Sequence, residues 1–407
     1  MTRAITLWRN QDFVVLWRGG LISVLGSGVS RIAYPLLMLA VTHSPAQAGL
    51  AGGLRALPYL LLGLPAGALV DRWNRKQVMI LCDAGRSLNM ASIPLAFALG
   101  HFTAAQLYGN ALVGGILFVF FSAAEVAYLP HIVSREQLST AVAVEQGMSS
   151  GAEVVAPSLG GILFQFGHVV PFLTDAVSYS ASVVSLLFVK AEFQEKRATD
   201  VPNLRKEIVE GLRWLWQQPL VRTVAITTAG LQLATSGVAL IVIILAQHHH
   251  ASPAMIGTLF SAVGIGGVLG SAIAPRVQRT LGFGRTILGV AWTEALLWPL
   301  FAFAPNPVML GVVLGLFAFS MPIYGVAAMS YRLSVTPDRL QSRVGTAFRV
   351  IAWSSEPLGA VLAGLLIQAL GAVSTTLVFS AWVLLVAAIT SSDGQLRRAI
   401  RQREAIP

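Results

Sequence analysis

Residues 67–76 read Gly-Ala-Leu-Val-Asp-Arg-Trp-Asn-Arg-Lys, a short basic turn between two long apolar runs. The runs cover about residues 47–70 and 78–99, and each has the roughly 20 residues that an α-helix needs to cross the hydrocarbon core of a bilayer. Two such runs joined by a charged turn predict a pair of transmembrane helices with the turn at one membrane surface.

The composition of the whole 407-residue chain fits the same class of protein. Hydrophobic residues make up 55% of it and charged residues 11%, whereas a soluble domain carries about 25% charged residues. A disordered protein and a conventional soluble enzyme are therefore excluded. The net charge of +10 does not indicate nucleic-acid binding, because too few polar residues remain to form a solvated basic face.

Further apolar runs bring the predicted number of transmembrane helices to twelve. They cover about residues 13–40, 105–128, 140–166, 169–190, 220–246, 254–275, 286–304, 308–330, 345–370 and 373–391. The longest polar stretch divides the chain into a six-helix bundle (1–190), a linker (191–219), and a second six-helix bundle with a basic tail (220–407). Within the linker, the apolar spacing of Leu204–Trp216 favours an amphipathic helix on the membrane surface.

The basic residues predict the orientation of the chain in the membrane. The connectors HSPAQ, GHFTA, GH, QHHHASP, APNP and GAV, which follow the odd-numbered runs, contain neither Lys nor Arg. Every Lys and Arg except Arg31, Arg55 and Arg86 lies near the other ends of the runs, away from these connectors. The positive-inside rule therefore places both termini in the cytoplasm, and we expect a multi-pass protein of the cytoplasmic (inner) membrane.

The two predicted bundles also share sequence features at similar spacing. Asp71–Arg75 corresponds to Pro275–Arg279, and Val133–Leu138 corresponds to Val335–Leu340 at nearly the same separation. Parallel repeats of six helices are typical of one large class of secondary transporters. We therefore predict an all-α membrane protein with two pseudo-symmetric bundles.

The turn between the second and third runs resembles the signature loop of the major facilitator superfamily. The residues that carry this resemblance are Gly67, Asp71, Arg72, Arg75 and Lys76. Asn74 replaces the usual glycine, and we expect the turn to survive because Asn tolerates a left-handed backbone. A weaker copy of the antiporter motif of this superfamily occurs at Ala156–Gly161.

Within the superfamily, the chain resembles the drug and macrolide efflux branch, which also contains enterobactin exporters. The segments that carry this second resemblance are Asn10–Phe13, Ile22–Gly26, Leu54–Pro58, Asp83–Arg86, Phe172–Ala176 and Glu210–Leu215. The resemblance covers the whole chain and implies the fold of this superfamily. Its motifs are highly specific for the superfamily and moderately specific for efflux, and they say little about the substrate.

The resemblance assigns a gating role to the signature loop. It implies that Asp71 faces the N-terminal end of the eleventh helix, where the helix dipole is positive. Arg75 would pair with an acid at the cytoplasmic end of the fourth helix, for which Glu125 is the matching position, and Arg343 would complete the network. An ordinary basic loop that only fixes topology is the alternative.

The resemblance also implies that helices 1, 4, 7 and 10 line a central cavity. The residues of these helices that we expect to contact substrate are Ser27, Tyr34, Phe118, Phe121, Ser122, Gln232, Phe317, Met321 and Tyr324. Mixed aromatic, methionine and hydroxyl surfaces suit bulky amphiphilic ligands. Packing between helices explains the same residue types equally well.

Charged residues inside the predicted helices are candidates for proton coupling, because a charge at this depth costs at least about 2.5–3.5 kcal/mol. We place Glu153 first, with Arg31 at similar depth, and the other candidates are Asp175, Glu145 and Glu356. A permanent Glu153–Arg31 ion pair is the structural alternative. Asp83 and Arg86, three residues apart, are interpreted as a local structural pair.

These observations predict a monomeric secondary transporter that exports an amphiphilic small molecule, similar to a drug or macrolide, in exchange for protons by alternating access. The alternatives are a dedicated exporter of a siderophore or antibiotic, a phospholipid or lysophospholipid carrier, and a membrane sensor without transport activity. An enzyme is disfavoured, since the chain offers no plausible catalytic set. We expect no cofactor and no metal site, and the chain contains no P-loop for ATP.

Overall fold

The computed structural model describes residues 7–70, 72–125, 128–134, 136–190 and 204–398. These residues form α-helices and no β-strand. The helices of the first half are α1 (Gln11–Thr42), α2 (Pro45–Val70), α3 (Arg75–Ala98), α4 (Ala104–Glu125), α5 (Leu129–Ile132), α6 (Leu138–Phe166) and α7 (Val170–Phe188). Those of the second half are α8 (Leu204–Gln217), α9 (Pro219–His248), α10 (Pro253–Leu281), α11 (Phe283–Ala302), α12 (Pro307–Val335), α13 (Gln341–Trp353), α14 (Ser355–Leu370) and α15 (Ala372–Ser392).

Local sequence explains where several of these helices begin. Helices α2, α9, α10 and α12 start at a proline, whose fixed φ angle and missing N–H suit the first helical position. Asn10 and Asn306 cap α1 and α12, where their side chains accept hydrogen bonds from the Phe13 and Met309 backbone N–H groups. The helix starts therefore follow directly from turn chemistry.

Asn74 behaves differently from its predicted role. Its backbone is extended (φ −67°, ψ 109°), not left-handed, and its side chain accepts from the Gln77 N–H at 3.1 Å. The expectation of a left-handed turn residue was wrong. Asn74 is the N-cap of α3, a position that asparagine fills better than glycine does.

Each of the twelve predicted spans contains helix among the described residues, although some of the helices end before their predicted limits, as at Leu99, Tyr128 and Lys190. Among the same residues, eight helical segments are long and apolar enough to cross a membrane: α1, α4, α7, α9, α10, α12, α15 and the segment Arg343–Leu370. The other four predicted spans correspond to α2, α3, α6 and α11. Three of these helices, α3, α6 and α11, contain acidic residues within the predicted span. The count of twelve spans and the cytoplasmic placement of the termini stay predictions.

The eleventh predicted span is interrupted near its middle. Helix α13 ends at Trp353 and α14 begins at Ser355. Pro357 follows two residues later and has no N–H to donate to the carbonyl of Trp353, which removes one bond of the helical ladder. The interruption is therefore a consequence of this proline.

The chain forms two compact units, and each unit combines separate stretches of sequence. The first contains residues up to His43, residues 54–201 and Ser252–Ser261, and the second contains Ser44–Gly53, Pro202–Ala251 and the residues from Ala262 onward. In the first unit α1 packs against α6 and α7, and α3 packs against α4 and α7. In the second unit α9 packs against α14 and α15, and α11 packs against α12 and α15. Each unit thus has the same internal order of neighbours, while the division at residues 190 and 220 stays a prediction.

Candidate functional site

A buried arginine lies at the centre of the polar residues of the first unit. Arg86 of α3 is buried, and its guanidinium carbon lies 4.3 Å from the ring centre of Tyr179 and 5.1 Å from that of Phe121. The ring of Phe118 lies on the same cation at 5.8 Å. Aromatic faces stabilise a desolvated cation through their quadrupoles, so these rings replace the water that would otherwise surround the Arg86 guanidinium.

Three carboxylates surround this cation. The Arg86 Nη1 atom lies 3.1 Å from Oδ1 of Asp83, one turn earlier on α3, and Asp83 is fully buried. Asp175 of α7 and Glu125 of α4 also lie within electrostatic range of Arg86. We call Arg86, Asp83, Asp175 and Glu125 the Arg86 cluster. Arg55 also lies within electrostatic range of Asp175 but is exposed, so Arg86 is the buried cation of this group. A low-dielectric site disfavours net charge, and Arg86 alone does not balance all three acids in their ionised forms.

Asp175 joins two helices within this cluster. It is fully buried on α7, and its carboxylate accepts hydrogen bonds from Ser30 of α1 at 2.5 Å and from Ser178 at 3.2 Å. One turn further along α7, the Tyr179 hydroxyl lies 2.8 Å from the hydroxyl of Ser27. Two hydroxyl donors and a nearby guanidinium stabilise an ionised carboxylate. The contact between α1 and α7 is therefore built around one buried carboxyl group.

Glu153 and Arg31 lie outside this cluster. Both side chains are exposed, and in the described part of the chain no carboxylate comes within 4 Å of Arg31. Arg31 lies within electrostatic range of both Glu153 and Arg55. The coupling role predicted for Glu153 stays a prediction, and the two residues do not form a close ion pair in this structure.

The remaining coupling candidates lie elsewhere. Glu145 of α6 is half-buried and accepts a hydrogen bond from the hydroxyl of Tyr128. Glu356, near the start of α14, is half-buried in the second unit. Their roles in coupling stay predictions.

The antiporter-like segment of α6 is a site of close packing. A side chain at Gly160 would lie 2.6 Å from the Val29 carbonyl of α1, and one at Gly161 would lie 3.0 Å from the Cα atom of Gly257 of α10. Ser158 also contacts Ser261 of α10 at 2.7 Å between their hydroxyls. The small residues of the motif therefore let α6 approach two helices at once.

The signature loop is described only in part. Asp71 lies outside the described residues, Gly67 lies near the end of α2 and Arg72 is exposed. Lys76 donates to the Val189 carbonyl at 2.6 Å, close to the end of α7. In the second unit Arg343 pairs with Glu210 of α8 at 2.5 Å. The gating network that links Arg75, Glu125 and Arg343 stays a prediction.

The predicted cavity residues differ in their exposure. Phe118 is 48% exposed, and Ser27, Ser122, Gln232 and Met321 are half-buried. By contrast, Tyr34, Phe121, Phe317 and Tyr324 are buried within their own units. Tyr34 donates to the Leu107 carbonyl, and Tyr324 lies 2.9 Å from the Thr228 hydroxyl. Contact with substrate stays a prediction for the whole set.

The interpretation of Asp83 and Arg86 from sequence was incomplete. Their i, i+3 spacing predicts the pair that the structure contains. The aromatic rings and the two further acids come from α4 and α7, so helix spacing alone cannot reveal them. The available signal was the presence of Phe118, Phe121 and Glu125 on one stripe of α4.

The characterised proteins that the chain resembles include two kinds of efflux transporter. The chain is 26% identical over 386 residues to the multidrug efflux pump Tap of Mycolicibacterium fortuitum, a match that covers 91% of this chain and 93% of the pump. It is 25% identical over 344 residues to the enterobactin exporter EntS of Escherichia coli O1:K1 / APEC, covering 84% and 82% of the two chains. Both relatives are efflux transporters of the major facilitator superfamily.

A solved structure supports the fold. The crystal structure of the nucleoside transporter NupG superposes with a TM-score of 0.78 at 12% sequence identity, covering 94% of this chain and 98% of NupG. Residues 2–405 also match the sequence profile of one family, described as transmembrane secretion effector. The chain therefore belongs to the transmembrane secretion effector family, whose members are transporters of the major facilitator superfamily and not enzymes.

Proposed function

We propose that this protein exports an amphiphilic small molecule across the cytoplasmic membrane in exchange for protons, by alternating access. Its relatives include a multidrug efflux pump and an enterobactin exporter, which supports export as the direction of transport. Proton exchange is the finer part of the proposal, and it rests on one observation. In the Arg86 cluster one buried guanidinium pairs with Asp83, and Asp175 and Glu125 lie within its electrostatic range.

The chemistry of the cluster favours proton exchange. Separating buried charges from their counter-ions costs several kcal/mol, so the cluster gains stability when one of its acids takes up a proton. A substrate or a conformational change that alters the position of Arg86 changes which acid is neutralised. Proton binding and transport are then linked through one cation, as reciprocal coupling between two sites requires.

Asp175 provides the direct test of this mechanism. The change Asp175→Asn keeps the size of the side chain and its contact with Ser30 of α1, but removes one ionisable group from the cluster. We expect export driven by a proton gradient to fall at least about tenfold, the effect of about 1.4 kcal/mol on a coupling equilibrium. The measurement is export of a fluorescent amphiphilic dye from proteoliposomes with and without an imposed proton gradient.

The matched control is Thr174→Val, which changes the neighbouring exposed residue of α7. It should export at the wild-type rate. Wild-type export by the Asp175→Asn variant, still stimulated by the gradient, would refute the role of the Arg86 cluster in coupling.

A dedicated exporter of one metabolite is the second candidate. It is favoured by the similarity to the enterobactin exporter, which covers 84% of this chain. A competition panel separates the two proposals: a general pump loses dye export to many unrelated amphiphiles, whereas a dedicated exporter loses it to one chemical class.

A further inference from the structure

A second buried carboxyl group lies in the other unit of the chain. Glu294 of α11 is only 2% exposed, and its Oε2 atom has no hydrogen-bond partner among the described residues. One turn further along, Trp298 is completely buried, and its indole nitrogen also lacks a partner there. The helix therefore buries an unmatched acceptor and an unmatched donor on the same face, although burial of either group alone is costly.

No charged group compensates Glu294 from the helices that pack against α11. Helix α15 contains no titratable residue, and α9 carries Arg222 near its start and His248 at its end. Helix α12 contributes the phenol of Tyr324, which lies within electrostatic range of Glu294 and 2.9 Å from the hydroxyl of Thr228. The other titratable residues of α12, Tyr331 and Arg332, lie about two turns further along that helix. The environment is thus neutral on every side.

Aromatic rings pack around Trp298, one turn along the helix from Glu294. The ring of Trp298 lies 5.7 Å from that of Phe379 and 6.2 Å from that of Phe317, centre to centre. An isolated ionised carboxylate in such a place is so costly that the group is neutralised instead. This setting contrasts with that of Asp175, which has two hydroxyl donors and a guanidinium nearby.

The hydrogen bonding of Ser320 on α12 indicates which side chain, Ser320 or Glu294, is the donor in a hydrogen bond between them. It is the polar side chain that lies close enough to interact with Glu294. Its hydroxyl already donates to the Phe317 carbonyl at 2.8 Å. A serine hydroxyl has one proton, so its oxygen can only accept a further hydrogen bond. As long as Ser320 keeps its hydrogen bond to the Phe317 carbonyl, a hydrogen bond between the two side chains has the carboxyl group as donor.

We infer that Glu294 carries a proton in this conformation and is a second proton-binding residue of the transporter. It belongs to the second unit, whereas the Arg86 cluster belongs to the first. The inference deepens the proposed function and rests on it for the role of the proton in transport. The proton leaves when α11 and α12 separate enough to admit water to the carboxyl group. The two units would then each carry one exchangeable proton.

Infrared spectroscopy of the purified full-length protein tests the protonation directly and needs no substrate. A neutral buried carboxylic acid gives a carbonyl stretch well separated from the amide band, and the band shifts in D₂O. We expect the wild type to show this band, a component of it to be lost in Glu294→Gln, and the same component to remain in Asp175→Asn. A wild-type spectrum without the band, or a band unchanged in Glu294→Gln, would overturn the inference.

A second variant keeps the test decisive should Glu294→Gln fail to fold. Ser320→Ala removes the acceptor but keeps the acid, so the same band should remain and move to higher frequency. An unmoved band would show that Ser320 does not accept from Glu294 and would overturn the assignment of the donor.

The role in transport is measured separately in proteoliposomes, as protons moved per ethidium exported. We expect Glu294→Gln to lower this ratio to about half while export continues. An unchanged ratio would overturn the exchange role of Glu294. Export by the wild type without any proton movement would instead refute the proposed function. In that case the infrared band would show that Glu294 is protonated but that its proton takes no part in transport.

Discussion

At the scale of single residues, Arg86 and Asp83 depend on each other. Asp83 is fully buried beside Arg86, so Arg86→Gln leaves an unpaired buried charge. We expect this variant to lose about 3–5 kcal/mol of stability, the usual cost of removing one partner from a buried pair. The measurement is thermal unfolding of the purified protein in detergent.

The double variant Asp83→Asn with Arg86→Gln supplies the control. It removes both charges, and we expect it to recover most of the stability that Arg86→Gln loses. Equal stability of Arg86→Gln and the wild type would show that the pair has no structural role.

Asp393, which follows α15, predicts a pH dependence. Partial burial raises its pKa, but hydrogen bonds from the Leu396 N–H, the Thr223 hydroxyl and the Gln395 N–H outweigh burial and hold the pKa below its ordinary value. The ionised carboxylate therefore stabilises the folded state above the ordinary pKa of about 4. This contribution disappears as the pH falls through the lowered folded value.

We therefore expect wild type and Asp393→Asn to differ in melting temperature at neutral pH and to converge in acid. A difference in melting temperature that stays constant from neutral to acidic pH would contradict the assignment.

At the scale of helices, α8 depends on one glycine. Gly211 lies against α13, and a side chain there would come within 2.6 Å of the Arg343 carbonyl carbon. The adjacent Glu210 pairs with the Arg343 side chain. We expect Gly211→Ala to separate α8 from α13, at a cost of about 1–3 kcal/mol for an overpacked contact. Faster proteolysis within residues 191–217 reports the separation.

Gly345 of α13 is the matched control for this change. Nothing lies within 4 Å of the side chain that alanine would add there, so Gly345→Ala should gain helix propensity without a clash. If both variants resisted protease like the wild type, the contact between α8 and α13 would not hold the linker.

The sequence predicts helices better than their contacts for a physical reason. Apolar runs and prolines fix where α9 or α12 begins, because those signals are local. The aromatic rings around Arg86 come from α4 and α7, and the neutral setting of Glu294 comes from α12 and α15. Such neighbours depend on tertiary packing, so no feature of the sequence favours Glu294 over Glu153.

At the scale of the whole molecule, the predicted internal repeat has a counterpart in the packing. Both units have the same order of neighbouring helices, yet the buried acids are not equivalent. The first unit gives Asp175 hydroxyl donors and a nearby cation, whereas the second buries Glu294 one turn from the packed rings of Trp298 and Phe379. A repeat in the backbone therefore carries two different chemical environments, which the short sequence matches at Asp71–Arg75 and Val133–Leu138 could not indicate.

The central claim is that export and proton movement are linked. Inside-out vesicles that contain the protein are loaded with a pH-sensitive dye, energised to form an acidic interior, and then given an amphiphilic substrate. We predict that the substrate dissipates part of the proton gradient, and that Asp175→Asn weakens this response at least about tenfold, in step with its loss of gradient-driven export, while the protein remains folded. Substrate uptake into these vesicles with no change in the gradient, and at the same rate after an ionophore collapses it, would contradict the account.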